Sequence, residues 1–221
     1  MIENNLILKI IDGDDGDPKA RIADAAIEEF ALRSLDGARI REIARKSNTN
    51  VAAISYHFGG KEGLYKAVIS AMSDYFDDFV GGYYAEGEKI IESGDAEKSK
   101  NFAEKFLIDA IKKFSQVKIV PALCLIMTRE AASPSEYFQR VYDSIYRKPV
   151  EFLAKLFEIA AKGRIPHDVG VVFAQALWAN VRSYTSKSDA VLKLHNWTSF
   201  GAPEIALLET ALTKVLSKTF A

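Results

Sequence analysis

The chain has 221 residues, 48% of them apolar, enough for one large domain or two small ones built around a sizeable core. A net charge of -1 and a pI near 6.3 exclude a chain that is basic overall, so any nucleic-acid partner must be met by a local patch. The single Cys124, in the apolar run ALCLIM, excludes an internal disulfide scaffold and reads as a buried, inert thiol.

The first residues, MIENNLILKIIDGDDGD, have neither a basic n-region nor a small-residue cleavage site, and no apolar stretch reaches the roughly 18 residues of a membrane span. A cytoplasmic protein without a membrane partner is therefore expected, and the sequon at Asn196-Trp197-Thr198 is expected to go unused. The acidic run DGDDGD fails as a calcium loop, because Gly16 falls where an oxygen ligand belongs and Ala23 where the closing Glu belongs. It reads as a disordered polar tip, with the fold starting at Pro18, a residue suited to the first turn of a helix.

From 19 to 34, Ile22, Ala25, Ala26, Phe30 and Ala31 recur at helical spacing, and Asp36-Gly37 marks a turn. A short helix from Arg39 to Lys46 buries Ile40, Ile43 and Ala44; Ser47-Asn48-Thr49 breaks it, and Asn50 is placed to cap a third helix carrying Val51, Ile54 and Phe58. Gly59-Gly60 ends that helix, and Lys61 starts a longer one through Leu64, Val68, Met72, Phe76 and Phe79, whose end Gly81-Gly82 is expected to loosen. Further helical patterns follow at about 101–114, 118–132, 135–162, 168–185 and 203–219, with Pro134 and Pro203 in first-turn positions. Pro121 and Pro149 fall inside apolar periodic segments and should kink or divide them. No alternating strand pattern and no internal repeat occurs, so the chain reads as all-α.

AAISYHFGGKEGLY, residues 52–65, places Tyr56 and His57 beside Gly59-Gly60-Lys61, which invites a phosphate-loop reading. Ser55 stands at the first Gly of that motif and Glu62 at its Ser/Thr, and a helix rather than a strand precedes it. His57, His167 and His195 lack partners at metal-ligand spacing, and no Gly-x-Ser-x-Gly elbow appears, so no catalytic residue, metal or cofactor is expected. Two short helices joined by a three-residue polar turn instead match a helix-turn-helix, with Ile43, Ala44 and Ile54 locking the pair while Val51, Ala52, Ser55 and Tyr56 face outward. Residues 38–66 carry a net charge of +4, which coincides with it. On periodicity alone, a helical hairpin with a solvated charged face remains the competing account.

The pattern RIADAAIEEFA at 21–31, Ile43-Ala44, and Ile54-Ser55-Tyr56-His57-Phe58 followed by Lys61, Glu62 and Leu64 resembles the N-terminal region of the TetR family of transcriptional regulators, over about residues 18–76. NVAAISYHFGGKEGLY, Arg129-Glu130 with Pro134, and ANVRSYTSKSDAVLKLHNW are most similar to its CecR-like branch. Four departures stand out: Ser34 replaces a usual Gly, Ala38-Arg39 stands where Thr-Thr or Thr-Ser is common, Ser47-Asn48-Thr49-Asn50 replaces Ala-Gly-Val-Ser, and Ser55 takes the place of a frequent Tyr. With Ala38 there is no hydroxyl to cap the second helix or bind phosphate.

The resemblance implies a three-helix DNA-binding domain over 17–77 and a larger helical effector and dimerisation domain over 78–221. It implies a homodimer on double-stranded, pseudo-palindromic operator DNA, acting as a repressor relieved by a small-molecule effector. DNA contacts are expected from Arg39, Arg41, Asn50, Val51, Ala52, Ser55, Tyr56, His57 and Lys61. Val51 and Ala52 would pack on thymine methyl groups, Arg39 and Arg41 read guanine or bind phosphate, and Tyr56, His57 and Lys61 bind phosphate; packing at the helix end is the other account of His57. The late helices at 168–185 and 203–219 suit a four-helix dimer interface or, alternatively, a monomer core. Phe79, Tyr83, Phe106, Arg129 and Glu130 are the expected effector residues, set against a structural role for each. The rival function is an α-helical small-molecule- or partner-binding protein that no longer binds DNA.

Overall fold

The computed structural model describes residues 5–14 and 16–220, and within them it is helical with no strand. Its helices are α1 (Leu6–Ile11), α2 (Pro18–Gly37), α3 (Ile40–Lys46), α4 (Val51–Phe58), α5 (Lys61–Ser93), α6 (Ala96–Gln116), α7 (Val120–Ala132), α8 (Phe138–Val141), a π-helix (Tyr142–Arg147), α9 (Lys148–Ala160), α10 (His167–Thr185), α11 (Asp189–His195) and α12 (Ala202–Thr219).

The N-terminal segment departs from expectation. Leu6–Ile11 folds as a helix capped by the Asn5 side chain, Ile7 is fully buried, and the Asn5 amide donates to the Ala71 carbonyl of α5. Asp17, expected in a disordered tip, caps α2 and pairs with Lys9 at 2.7 Å. The hydrogen bond from Lys9, outweighing burial, holds the Asp17 carboxyl below its ordinary range. Asp15 of the acidic run lies outside the described residues.

Other corrections concern glycine and proline. α5 continues through Gly81-Gly82 to Ser93; both glycines are exposed with nothing near them, so the only cost is their weaker helix propensity. Pro121 divides nothing, because α7 begins at Val120 and the proline sits in its first turn, where a missing N–H is harmless. The segment 135–162 is indeed divided, by the π-helix, after which Pro149 lies in the first turn of α9. α11, capped by Ser188, is too short to stand out as a periodic pattern.

The chain forms two compact units, Met1–Asp77 with Lys118–Ile145, and Asp78–Val117 with Tyr146–Ala221. In the first, α1, α3 and α7 pack on α2, and Ile22, Ile27, Phe30, Ile43, Ile54, Leu64, Ile69 and Met72 are fully buried. At about 25 cal/mol per Å² of apolar surface, each of these larger side chains contributes roughly 1.5–3 kcal/mol. In the second, α6, α9 and α10 pack on one another, and α12 lies on α6. Cys124 is buried, as its apolar run implies.

Ser34 is the strained point of α2. With φ 64 and ψ 176 it occupies a backbone region that is nearly exclusive to glycine and kinks the helix three residues before its end. Ser34→Gly should raise stability by about 1 kcal/mol, the relief of that strain outweighing glycine's larger unfolded-state entropy. Chemical denaturation of both proteins measures the difference.

Candidate nucleic-acid interface

The helix-turn-helix is fixed by local chemistry. The Asn50 side chain accepts the Ala53 N–H at 2.8 Å and so caps α4, and Gly59, with φ 76, closes α4 in the left-handed conformation that glycine adopts freely. In the turn, the Ser47 and Thr49 hydroxyls bond each other at 2.9 Å, the Ser47 hydroxyl also donates to the Ile43 carbonyl, and the Thr49 N–H donates to the Ala44 carbonyl. Buried Ile43, Ala44 and Ile54 join the two helices beneath.

The α3–α4 pair is tethered to α2 at both ends. The Arg21 guanidinium donates to the Ser47 carbonyl at 3.4 Å and Lys46 pairs with Glu28 at 3.0 Å, both at the C-terminal end of α3. At its N-terminal end the Arg39 N–H donates to a Glu29 carboxylate oxygen at 3.2 Å. Ala38 itself is buried. With no hydroxyl at Ala38, the start of α3 draws its side-chain acceptor from a carboxylate on another helix, which takes the N–H of the cap residue itself. Glu29 is not among the expected site residues; its signal in the sequence is an acidic residue seven places after Ile22, on the apolar stripe of α2.

Of the residues expected to meet DNA, Arg39, Arg41, Asn50, Val51, Ala52, Ser55 and Tyr56 are all exposed, and Tyr56 is 85% so. His57 is half-buried, its ring edge-on to those of Tyr56 and Phe58. The Ser55 hydroxyl donates to the Val51 carbonyl at 3.1 Å, which leaves its lone pairs outward. Lys61 is half-buried; its ammonium donates to the carbonyls of Asp36 (3.1 Å) and Ala38 (3.4 Å), which engages two of its three donors and pins the loop between α2 and α3. The exposed face therefore offers arginines, a phenol and small side chains on a rigid pair of helices, a combination fit for binding a polyanion and for reading groove edges sparingly.

The expected effector residues divide between the two units. Phe79 and Phe106 are buried and Tyr83 half-buried in the second unit, their rings joined to Phe102, Phe114, Phe152 and Trp178 at centroid distances of 4.9–6.0 Å. The Tyr83 hydroxyl donates to Asp109 at 2.7 Å. Burial, followed by that hydrogen bond, pushes the Tyr83 phenol up. For Asp109 burial acts upward, but the hydrogen bonds from Lys105 and Tyr83 prevail and hold its carboxyl low.

Arg129 and Glu130 belong to the first unit. Arg129 donates to the Phe30 and Ala31 carbonyls at 2.6 and 3.1 Å, and Glu130, 4% exposed, accepts from the Tyr65 hydroxyl at 2.5 Å and the Ser135 hydroxyl at 2.8 Å. These partners are those of a structural clasp.

In the second unit, α10 buries Ala174, Leu177, Trp178 and Val181 but leaves Val172 68% exposed, and α12 buries Ile205 and Leu216 but leaves Leu207 60% exposed. An apolar groove of about 170 Å³ lies between the two helices, lined by Leu177, Val181, Tyr184, Leu208, Leu212 and Val215.

Comparison with known proteins bears on the α3–α4 face. The family model described as "Bacterial regulatory proteins, tetR family" matches residues 22–68, the stretch from α2 into α5. The HTH-type transcriptional dual regulator CecR of Shigella flexneri is 24% identical over 88% of this chain and 87% of its own. The biofilm operon icaADBC HTH-type negative transcriptional regulator IcaR of Staphylococcus epidermidis is 32% identical over 28% of this chain and 34% of its own. Among solved structures, HlyIIR, a hemolysin II transcriptional regulator, superposes with a TM-score of 0.51 at 18% identity, over 84% of this chain and 99% of the other.

Proposed function

This chain belongs to the TetR family of DNA-binding transcriptional regulators, and we propose from that premise that it is a homodimeric repressor, released from a pseudo-palindromic operator by a small molecule. The observation that carries the DNA side of this reading is the capped, tethered α3–α4 pair with Arg41, Val51, Ala52, Ser55 and Tyr56 on its open face. It is a regulator, not an enzyme. Its likeness to CecR along most of the chain supports placing it in the CecR-like branch, and the negative regulator IcaR supports repression.

In this reading α4 lies in the major groove. Val51 and Ala52 pack on thymine methyl groups, Ser55 offers a lone pair, and Arg39 and Arg41 reach guanine edges or phosphate. Asn50 caps α4 next to the backbone, while Tyr56, His57 and the remaining donor of Lys61 hold phosphates and fix register. The apolar surfaces of α10 and α12 support a second copy of the chain as their partner, which sets two recognition helices about one helical turn of DNA apart. Effector binding is assigned to the unit holding Phe79, Tyr83 and Phe106, while Arg129 and Glu130 are given the clasp instead of a ligand. A ligand that prefers the conformer unable to span two half-sites shifts the population away from DNA. No helix among the described residues is long and apolar enough to cross a membrane, which accords with a cytoplasmic place of action.

Selection of bound sequences from random duplexes tests the reading. An enriched palindrome, with affinity falling steeply as salt rises, is the expected result; no enrichment together with a flat salt dependence contradicts it. Lys61→Ala should weaken binding to operator and random duplexes alike, by about fivefold at low salt, and reduce the salt slope by about one phosphate contact. Fluorescence anisotropy on both duplexes across a salt series measures this, and a change in base preference would show that Lys61 reads sequence.

A further inference from the structure

Glu29 is nearly the last residue type expected where it sits, on the buried face of α2 between Ala26 and Phe30, with 3% of its surface exposed. A carboxylate in such a place costs free energy unless it is bonded, so its partners indicate its use. One is the Arg33 guanidinium, one turn later in the same helix, at 3.1 Å. The other is the N–H of Arg39, the residue that caps α3, and the same Glu29 oxygen accepts both.

The start of α3 needs this acceptor. Its cap residue is an arginine, which has no oxygen to offer and makes no side-chain cap hydrogen bond. Glu42, three residues later, holds the position from which a capping-box glutamate would reach back to the Arg39 N–H, but its carboxylate pairs with Arg45 at 3.1 Å. Both halves of the local device are therefore missing, and Glu29 supplies the second half from a different helix.

We propose that Glu29 is a positioning residue for DNA recognition: it fixes where α3 begins and so the pitch of the α3–α4 pair on α2, without touching DNA. The C-terminal end of α3 is held by Arg21 and by the Glu28–Lys46 pair, and Lys61 holds the loop before its N-terminal end by the Asp36 and Ala38 carbonyls. Glu29 is the side chain that takes the N–H of α3's own cap residue and so resists a pivot about the C-terminal end. Arg39 and Arg41 lie at the tethered end and α4 at the other, so a pivot displaces charge contacts against base contacts. Discrimination suffers before affinity for DNA in general does.

This inference rests on the α3–α4 pair being the DNA-binding element, and the test separates the two. In the full-length protein, Glu29→Leu should lower the ratio of operator to random-duplex affinity by about tenfold, random-duplex affinity staying within about twofold. Glu29→Gln retains an acceptor oxygen and should restore the ratio to within about twofold of the original. Backbone amide exchange, read by NMR or mass spectrometry on the unaltered protein, should find the Arg39 N–H protected. Equal loss on both duplexes with Glu29→Leu, failure of Glu29→Gln to rescue, or rapid exchange at Arg39 would each overturn the proposal. Should Glu29→Leu fail to fold, Glu29→Gln and the Arg39 amide still decide it. An unaltered protein that selects no operator would refute the DNA reading, and the Arg39 amide would still judge the tether.

Discussion

Phe106→Ala should destabilise the second compact unit by about 4 kcal/mol, the largest loss expected from any single truncation in it. Phe106 is fully buried on α6, and its ring meets Phe79 at 5.5 Å, Tyr83 at 5.1 Å, Phe152 at 5.5 Å and Trp178 at 5.6 Å, the last in a stacked arrangement. Truncation removes the ring's transfer free energy and also four aromatic contacts, each worth about 0.5–1.5 kcal/mol beyond area. Collapse into the space is opposed because the neighbours belong to α5, α9 and α10 as well as α6. Close packing is visible at Gly87 of α5, where an added Cβ would stand 2.3 Å from the Phe152 ring. Chemical denaturation followed by tryptophan fluorescence reports the change through Trp178. A loss below about 1.5 kcal/mol would mean that the aromatic cluster repacks, the behaviour of a cavity that can accept a ligand.

The aromatic cluster also shows what the sequence could and could not convey. Helical spacing put Phe79, Tyr83, Phe102 and Phe106 on faces that had to be buried, and this rests on local periodicity alone. Which helix each face meets is decided by the tertiary fold, and spacing does not record it. The same distinction separates Asn50 from Glu29. Asn50 caps its own helix three residues on, so its role is legible from neighbouring letters. Glu29 caps a helix ten residues away around a turn; its place on the apolar stripe of α2 is visible in the sequence, but the partner it meets is not. Arg129-Glu130 stands out as a motif, but its partners, Phe30, Ala31 and Tyr65, are distant in sequence. α1 is illegible for a different reason: six residues are fewer than two helical turns, and its Ile7 is buried where the helix packs on α2, distant in sequence.

Glu130→Ala should cost the first unit about 3 kcal/mol and weaken operator binding with it. The carboxylate is buried, and it joins the Tyr65 hydroxyl near the start of α5 to the Ser135 hydroxyl and N–H beyond the end of α7. Removing it strands the Tyr65 hydroxyl in a site where Phe30 and Tyr137 already pack against the ring, at 4.8 and 5.8 Å. An unsatisfied buried hydroxyl costs about 1–3 kcal/mol, and the lost hydrogen bonds to a charged acceptor add to that. Burial, followed by the bond to Glu130, pushes the Tyr65 phenol above its ordinary 10.0, so the hydroxyl stays protonated and donating. A raised pKa of this kind contributes stability that is complete below pH 10 and is lost as the pH climbs toward the folded value. The alkaline fall should therefore be shallower in Tyr65→Phe. Tyr65→Phe removes the donor but leaves Glu130 its Ser135 partner, and should cost about 1–2 kcal/mol. The double variant should fall short of the sum, because the two share one bond; strict additivity in a double-mutant cycle would show that they act independently. Both residues sit where α7 grips the helices flanking the α3–α4 pair, Glu130 holding α5 and Arg129 holding the end of α2 before its kink at Ser34. A recognition helix is only as well placed as the helices on either side of it. Operator affinity in Glu130→Ala should accordingly drop further than the unfolded fraction explains, and affinity that tracks folded protein alone would confine the clasp to stability.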